Sequence, residues 1–168
     1  RPDGAQLQFT SGGTYDVHAT PAAADSPEIW LLGSSDYSAQ LAAALGLPYV
    51  FANHFSGEGL ERALGLYRSQ FQPNELQPAP RTFLTANAVA AETSAEAEER
   101  ALPQLRAMSR LRTNRPLTAL QTVEQARADE PDAATTAIVE SMRAKWFVGT
   151  GDAVAAELSA FARRWDVD

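Results

Sequence analysis

The spacing of hydrophobic positions changes after residue 26. Before that point, residues 6–10 and 14–20 alternate apolar with polar side chains on either side of Ser11-Gly12-Gly13. A period of two around a glycine-containing turn is typical of an antiparallel hairpin. The pattern therefore predicts a leading β-hairpin, followed by a loop over residues 21–27.

Short apolar runs alternate with amphipathic segments from residue 27 onward. Three runs have the composition of buried parallel strands, the first of them buried on both faces: residues 28–33, 48–52 and 82–91. Helical spacing follows each run: residues 34–45, 60–71 and 93–111. Pro103 is expected to kink or divide the third helix. Strands alternating with helices through short connections predict a parallel sheet with crossover helices.

The last third of the chain has a weaker pattern. Residues 113–148 contain helical stretches and a break at residues 129–132, but no convincing strand. Residues 148–152 are typical of a cap that begins a final helix. We therefore divide residues 1–168, taken as one partial domain, into consecutive segments. They are a hairpin and loop (1–26), βα units (27–112), a variable segment (113–148) and a last helix (149–168).

Composition excludes several classes of function. The chain has 168 residues, of which 45% are hydrophobic, and this is enough to bury a core. Its net charge of −7 argues against binding to nucleic acid or to an anionic membrane surface. The sequence has no cysteine, and no apolar run approaches the roughly 18–20 residues that a membrane span needs. Since no signal pattern opens the chain, a cytoplasmic location is expected.

The first candidate site lies where the first strand meets its helix, at Gly33-Ser34-Ser35-Asp36-Tyr37-Ser38. Free N–H groups at a helix start, with three serine hydroxyls nearby, favour a phosphate site. Gly33 would let the backbone approach the ligand closely. The alternative is that Ser34 or Ser35 only caps the helix.

The second candidate site follows the next strand, at Asn53 and His54. Thr85 and Asn87, one strand further on, share a face of a buried strand and are placed to line a site. The alternative is that these polar groups are hydrogen-bonded near the strand ends. His18, in the hairpin, is interpreted as a surface residue. No second histidine or carboxylate stands at metal-ligand spacing, so we expect no metal site.

These residues resemble the bacterial luciferase-like flavin monooxygenase family. The resemblance is carried by residues 27–35 (PEIWLLGSS) and 38–49 (SAQLAAALGLPY), with support from residues 148–154 (VGTGDAV). It implies an α/β fold of the (β/α)8 TIM barrel type. A complete barrel typically needs ~250 residues. The chain is therefore expected to be the carboxyl-terminal part of an incomplete barrel, with about three βα units, the leading hairpin and a final helix.

The resemblance also implies a chemistry. Family members use reduced FMN, favoured here over the deazaflavin F420, with molecular oxygen on a small organic substrate. Carried over residue by residue, the flavin-phosphate contacts fall on the turn after the first strand: Gly33, Ser34, Ser35, Tyr37 and Ser38. Ser34 stands where bacterial luciferase has glutamate. The pocket wall falls on Ala52, Asn53 and His54.

Family catalytic residues lie mainly on the first four strands, so we expect none in this sequence. The variable segment matches a stretch that acts as a lid in relatives. Expected partners are a flavin reductase and a second copy of the chain in a homodimer. Two alternatives stay open: a non-catalytic, flavin-free partner or assembly subunit, and a free-standing phosphate-binding α/β domain.

Overall fold

Parallel strands alternate with helices through most of this computed structural model, which describes residues 4–18, 20–21, 24, 27–55 and 57–168. The leading hairpin is confirmed, because β1 (Ala5–Gln8) pairs antiparallel with β2 (Thr14–Val17). Its apolar side chains, which include Leu7 and Tyr15 on opposite strands, are exposed. His18 is exposed, as predicted. Ala19 and most of the predicted loop over residues 21–27 lie outside the described residues.

The first parallel sheet has three strands in the order β3, β4, β5. The strands are β3 (Leu31–Gly33), β4 (Tyr49–Phe51) and β5 (Thr82–Leu84). The crossover helices are α1 (Asp36–Leu45) and α2 (Leu60–Gln70). Parallel pairing places Gly33 beside Phe51 and Phe51 beside Leu84, so the three strands end at one edge.

A second parallel pair continues the alternation. It consists of β6 (Ala88–Ala91) and β7 (Phe147–Thr150). The remaining helices are α3 (Ser94–Arg112), α4 (Val123–Ala128), α5 (Ala133–Arg143) and α6 (Gly151–Trp165). The strands of the described residues form no closed barrel, which fits the incomplete barrel predicted from the sequence. Among these residues, no helix combines the length and apolar character that a membrane crossing requires.

Two strand predictions were wrong in detail. The single strand predicted over residues 82–91 is two strands, because residues 85–87 leave the ladder and bond to the loop after β4. Residues 147–150 form a strand, where the sequence predicted no strand and assigned residue 148 to a helix cap. The Phe147 N–H donates to the Asn87 carbonyl at 3.0 Å, so the ladder with β6 begins at the strand break.

One local prediction was wrong in part and another was wrong. Of the kink or division expected at Pro103, the division does not occur, because α3 runs through Pro103 as one helix of 19 residues. Its neighbours Ala101 and Leu105 are buried against Met142, and this packing offsets the hydrogen bond that proline removes. Leu32 is 55% exposed, so β3 is not buried on both faces. Helices cover only the face of the sheet to which Leu31 belongs, and Leu32 alternates to the other.

The main core lies between the first sheet and helices α1 and α2. Tyr49 and Phe51 of β4 are fully buried against one face of each helix. That face of α1 consists of alanines, namely Ala39, Ala42 and Ala43, while α2 contributes Leu60, Ala63, Leu64 and Tyr67. Small residues on α1 let the helix lie close to the sheet, which positions its first turn next to the end of β3.

The end of α6 closes the free edge of β5. The Asp168 N–H donates to the Thr82 carbonyl at 2.9 Å, and the Thr82 N–H donates to the Asp168 carboxylate at 2.8 Å. The Arg68 guanidinium donates to the Thr82 hydroxyl oxygen at 3.0 Å and to the Trp165 carbonyl at 2.8 Å. These bonds join α2, β5 and α6 into one unit.

Candidate functional site

Two serines build the start of α1. Ser35 is the N-cap, and its hydroxyl oxygen accepts the Ser38 N–H at 3.2 Å. The Ser38 hydroxyl oxygen in turn accepts the Ser35 N–H at 3.2 Å, which completes a capping box. Gly46 ends the helix in the left-handed conformation, at φ 61°. The helix start and stop are thus confirmed, and the N-cap is Ser35.

Gly33 serves the packing of this turn. A Cβ atom at Gly33 would overlap the Cβ and Oγ atoms of Ser38. The Tyr49 hydroxyl donates to the Gly33 carbonyl at 3.1 Å and lies 3.2 Å from the Ser38 hydroxyl. Burial raises the pKa of Tyr49, so the phenol stays protonated and able to donate. The close approach expected at Gly33 is therefore made by helix α1 against strand β3.

Other groups of the turn are open to a ligand. Ser34 and Tyr37 are exposed, the latter by 73%. Helix geometry leaves the N–H groups of Asp36 and Tyr37 without an intrahelical acceptor. The Asp36 carboxylate pairs with the guanidinium of Arg62, on α2, at 2.7 Å. Its negative charge is thus balanced beside a helix start that favours anions.

Polar groups after β4 and β5 form a second cluster. The His54 Nδ1 atom lies 2.6 Å from the Thr85 hydroxyl oxygen, which also accepts the His54 N–H at 3.2 Å. The Asn87 side-chain amide donates to the His54 carbonyl at 3.0 Å. The structure thus brings together three residues that the sequence placed on two separate strands, and the prediction that such groups hydrogen-bond near strand ends is correct.

The two clusters lie side by side. The Ala52 N–H donates to the Gly33 carbonyl at 3.0 Å, which joins the turn after β3 to the turn after β4. Ala52 is 1% exposed, whereas Asn53 and His54 are half-buried. Ligands of parallel α/β folds bind at the carboxyl ends of the strands, which is where both clusters lie.

An aromatic groove adjoins the second cluster. Its volume is about 390 Å³, and it runs from Asn53 to the start of α2 and along α6. Four aromatic side chains line it: Trp146, Phe147, Phe161 and Trp165. The sequence placed Phe161 and Trp165 on one face of the last helix but assigned neither to a site. Trp146 and Arg62 had no local signal, because their partners are distant in sequence.

Within the described part of the chain, no group of three or more histidine, aspartate or glutamate side chains could hold a metal ion. The Arg112 guanidinium, at the end of α3, donates to the Phe55 carbonyl and ties that helix to the loop after β4. The chemical capacity of the two clusters is therefore the binding of an anion beside a polar, partly buried histidine.

Comparisons with known proteins agree on one family. The family model for luciferase-like monooxygenases matches residues 6–167. A luciferase-like monooxygenase of Escherichia coli (strain K12) is 46% identical over 82 residues, which are 49% of this chain and 24% of that protein. The YceB protein of Bacillus subtilis (strain 168) is 32% identical over 143 residues, 84% of this chain and 43% of that protein.

Two solved structures share the fold. The apo form of MsnO8 has a TM-score of 0.73 and 30% identity, over 88% of this chain and 45% of that one. The oxygenating constituent of a Pseudomonas putida 3,6-diketocamphane monooxygenase, solved with FMN, has a TM-score of 0.56 and 17% identity. That match covers 97% of this chain and 49% of the other, and it shows the fold alone. The chain spans less than half the length of each of these relatives. With its family match over nearly every residue, the chain belongs to the luciferase-like monooxygenases.

Proposed function

We propose that this chain is the flavin-binding part of a monooxygenase that uses reduced FMN and molecular oxygen on a small organic substrate. The observation that carries the proposal is the bond between Ala52 and Gly33, which puts an anion-favouring helix start next to a half-buried histidine. An FMN molecule has the matching chemistry, since it carries a phosphate at one end and a polar ring system at the other.

The turn after β3 fits a phosphate. The Ser34 hydroxyl and the N–H groups of Asp36 and Tyr37 are the donors, and the first turn of α1 adds its positive end. The ion pair with Arg62 keeps the Asp36 carboxylate from repelling a dianion. Ser35 and Ser38 act by fixing the shape of the turn, because their hydroxyl groups are engaged in the capping box. The FMN bound to the Pseudomonas putida relative supports the same cofactor here.

The groove beside Asn53 fits an organic substrate. Its volume of about 390 Å³ lies in the range of small-molecule sites, about 300–1,000 Å³. The aromatic walls favour contact with an apolar molecule, while Lys145 and Glu157 add charged groups to the lining. Bound reduced FMN supplies the electrons that activate oxygen, while the residues of this chain hold the cofactor and shield it.

The partners and the lid remain parts of this proposal. A flavin reductase supplies the reduced cofactor, and two copies of the protein form a homodimer. Residues 113–148 act as the lid. The position of this segment supports the lid role, because Trp146 near its end lines the groove.

An FMN titration with matched variants of the full-length protein tests the phosphate site. Ser35→Asp places a carboxylate at the N-cap beside the phosphate, whereas Ser35→Asn has nearly the same shape without charge, and both residues keep an N-cap. We expect Ser35→Asp to weaken FMN binding about tenfold or more, which is about 1.4 kcal/mol. Ser35→Asn should stay within about threefold of the wild type.

Riboflavin, which lacks the phosphate, is the control ligand. Its affinity should be the same in both variants, because the added carboxylate then faces no dianion. Equal FMN affinity in Ser35→Asp and Ser35→Asn would rule out the phosphate site. Failure of the wild type to bind FMN at all would favour the flavin-free partner subunit.

A further inference from the structure

The break between β5 and β6 holds His54 at three points. Thr85 binds its N–H and its ring Nδ1, and Asn87 binds its carbonyl oxygen. The ring also packs on the ring of Phe55, with centroids 4.1 Å apart. These contacts fix both the backbone and the ring of His54. Capping the end of β4 would need only the backbone contacts.

The proton of the Thr85 hydroxyl decides which tautomer His54 adopts. Two acceptors compete for it: the His54 Nδ1 at 2.6 Å and the Phe51 carbonyl at 3.4 Å. That carbonyl already accepts the N–H groups of Asn53, at 2.8 Å, and Thr85, at 3.1 Å. A carbonyl oxygen has two lone pairs, so a third donor at 3.4 Å gains little. The hydroxyl therefore donates to Nδ1, and the proton of the neutral ring lies on Nε2.

Nε2 is the ring nitrogen that remains for a ligand, because the hydrogen bonds of the described residues engage Nδ1 alone. His54 lines a small recess, about one water molecule in size, that shares Asn53, Lys145 and Trp146 with the aromatic groove. His54 is half-buried, so water competes for a hydrogen bond from its ring less than at an exposed site.

We propose that His54 donates a hydrogen bond from Nε2 to an acceptor atom of the flavin ring, and that Thr85 is the positioning residue that fixes this tautomer. The acceptor is a carbonyl oxygen or an unprotonated ring nitrogen of the cofactor. This inference rests on the proposed function, because it assigns a residue to the ring end of the same flavin site.

Two pairs of variants separate the donor from the shape of the side chain. His54→Phe keeps a flat ring on Phe55 but removes the N–H, whereas His54→Gln keeps an N–H donor. Thr85→Ser keeps the hydroxyl, and Thr85→Val removes it while keeping the volume. We expect His54→Phe to weaken oxidised FMN binding about three- to tenfold, the effect of one lost hydrogen bond, and His54→Gln to retain most of the affinity. Thr85→Val should weaken FMN binding, whereas Thr85→Ser, which keeps the hydroxyl, should retain the wild-type affinity.

Nitrogen-15 NMR of the intact protein reads the tautomer directly. The His54 signals are those lost in His54→Gln, and exposed His18 is the reference in the same sample. At alkaline pH, where imidazole is neutral, His54 should carry its proton on Nε2, and Thr85→Val should give a tautomer mixture like that of His18. Addition of FMN should shift the His54 Nε2–H signal and leave His18 unchanged.

The outcomes divide cleanly between the two proposals. A proton on Nδ1 of His54, or wild-type FMN affinity in His54→Phe, would overturn the role of His54 while the flavin site stands. An unchanged tautomer in Thr85→Val would overturn the role of Thr85. Absence of FMN binding to the wild type would instead defeat the proposed function, and with it the flavin contact of His54.

Discussion

The α1–α2 region (residues 31–71) and the α3–α5 region (residues 94–143) are held together by different interactions. In the first, large side chains such as Tyr49 and Phe51 are fully buried between sheet and helices. In the second, the buried cluster is small, namely Ala101, Leu105 and Met142. Ion pairs join its helices and loops instead: Arg143 with Glu98, Arg127 with Glu99, Arg110 with Asp129, and Arg115 with Asp132.

This difference predicts how each region responds to its surroundings. Burial of apolar area is not weakened by charge screening and is worth roughly 25 cal/mol per Å². Ion pairs between exposed groups are each worth about 0–1 kcal/mol and are screened by salt. The α1–α2 region therefore sets the stability of the turn after β3, whereas charge governs how residues 113–143 dock on α3.

Removal of a buried ring should have the largest effect. Phe51→Ala should destabilise the intact protein by about 3–5 kcal/mol, because it leaves a cavity in the main core. The matched change in the other region, Leu105→Ala, should fall at the lower end of about 2–5 kcal/mol. Urea unfolding measures both. A larger cost for Leu105→Ala would contradict the division into an apolar and a charged region.

A methyl group added at Gly33 tests the close packing of the turn after β3. Gly33→Ala should cost about 1–3 kcal/mol, since the new Cβ overlaps Ser38. Gly65→Ala is the control, because space is open around Gly65 in the middle of α2. It should stabilise the protein by about 0.5–1 kcal/mol. Thermal unfolding shifts of the same sign in both variants would show that the turn tolerates a side chain.

Loss of one ion pair should have a modest, salt-dependent effect. The Arg143 guanidinium lies 2.7 Å from the Glu98 carboxylate, and its hydrogen bonds lower the pKa of Glu98. Because the Glu98 side chain is 51% exposed, solvent screening limits the cost of Glu98→Gln to about 0.5 kcal/mol. Glu140→Gln, on exposed α5, removes the same charge as a control. The difference between the variants should vanish at high salt, and persistence would contradict an electrostatic origin.

The smallest expected effect is a loss of stability at acidic pH. Hydrogen bonds from Thr135 and Arg115 hold the pKa of Asp132 at about 2, below its ordinary 3.8. Asp132 therefore stabilises α5 fully above pH 3.8, and this contribution is lost as the pH falls toward 2. Asp132→Asn keeps an N-cap but removes the titration, so its stability should vary less with pH in this window. Denaturant midpoints across the window measure this, with Asp152→Asn as control. Equal pH slopes in wild type and Asp132→Asn would refute it.

Local signals explain what the sequence predicted well. Ser35, Gly46 and the spacing from Leu60 to Tyr67 act within one helix, so the bounds of α1 and α2 follow from caps and periodicity. The same holds for the hairpin, whose turn and alternation lie within a short stretch. The position of residues 33–38 between β3 and α1 is also confirmed, because the end of the strand and the start of the helix are defined by the same local pattern.

Contacts between distant residues explain the errors. The strand from Thr82 is interrupted because Thr85 and Asn87 bind His54, more than 30 positions away. Strand β7 has four residues, and in the described part of the chain it pairs with β6. A strand this short shows no clear hydrophobic periodicity in the sequence. No local signal in the sequence indicates that Ser38 packs against Tyr49, because the two residues are 11 positions apart.

The closure of β5 by the end of α6 has a consequence for synthesis on the ribosome. Thr82 receives its partner Asp168 only after 86 further positions have been translated. At about 5–20 residues per second this takes about 4–17 s, during which one edge of the nascent strand has no partner. Unpaired strand edges promote association with other chains. Until the residues after α6 emerge from the ribosome, this edge of β5 is therefore open to association with other chains.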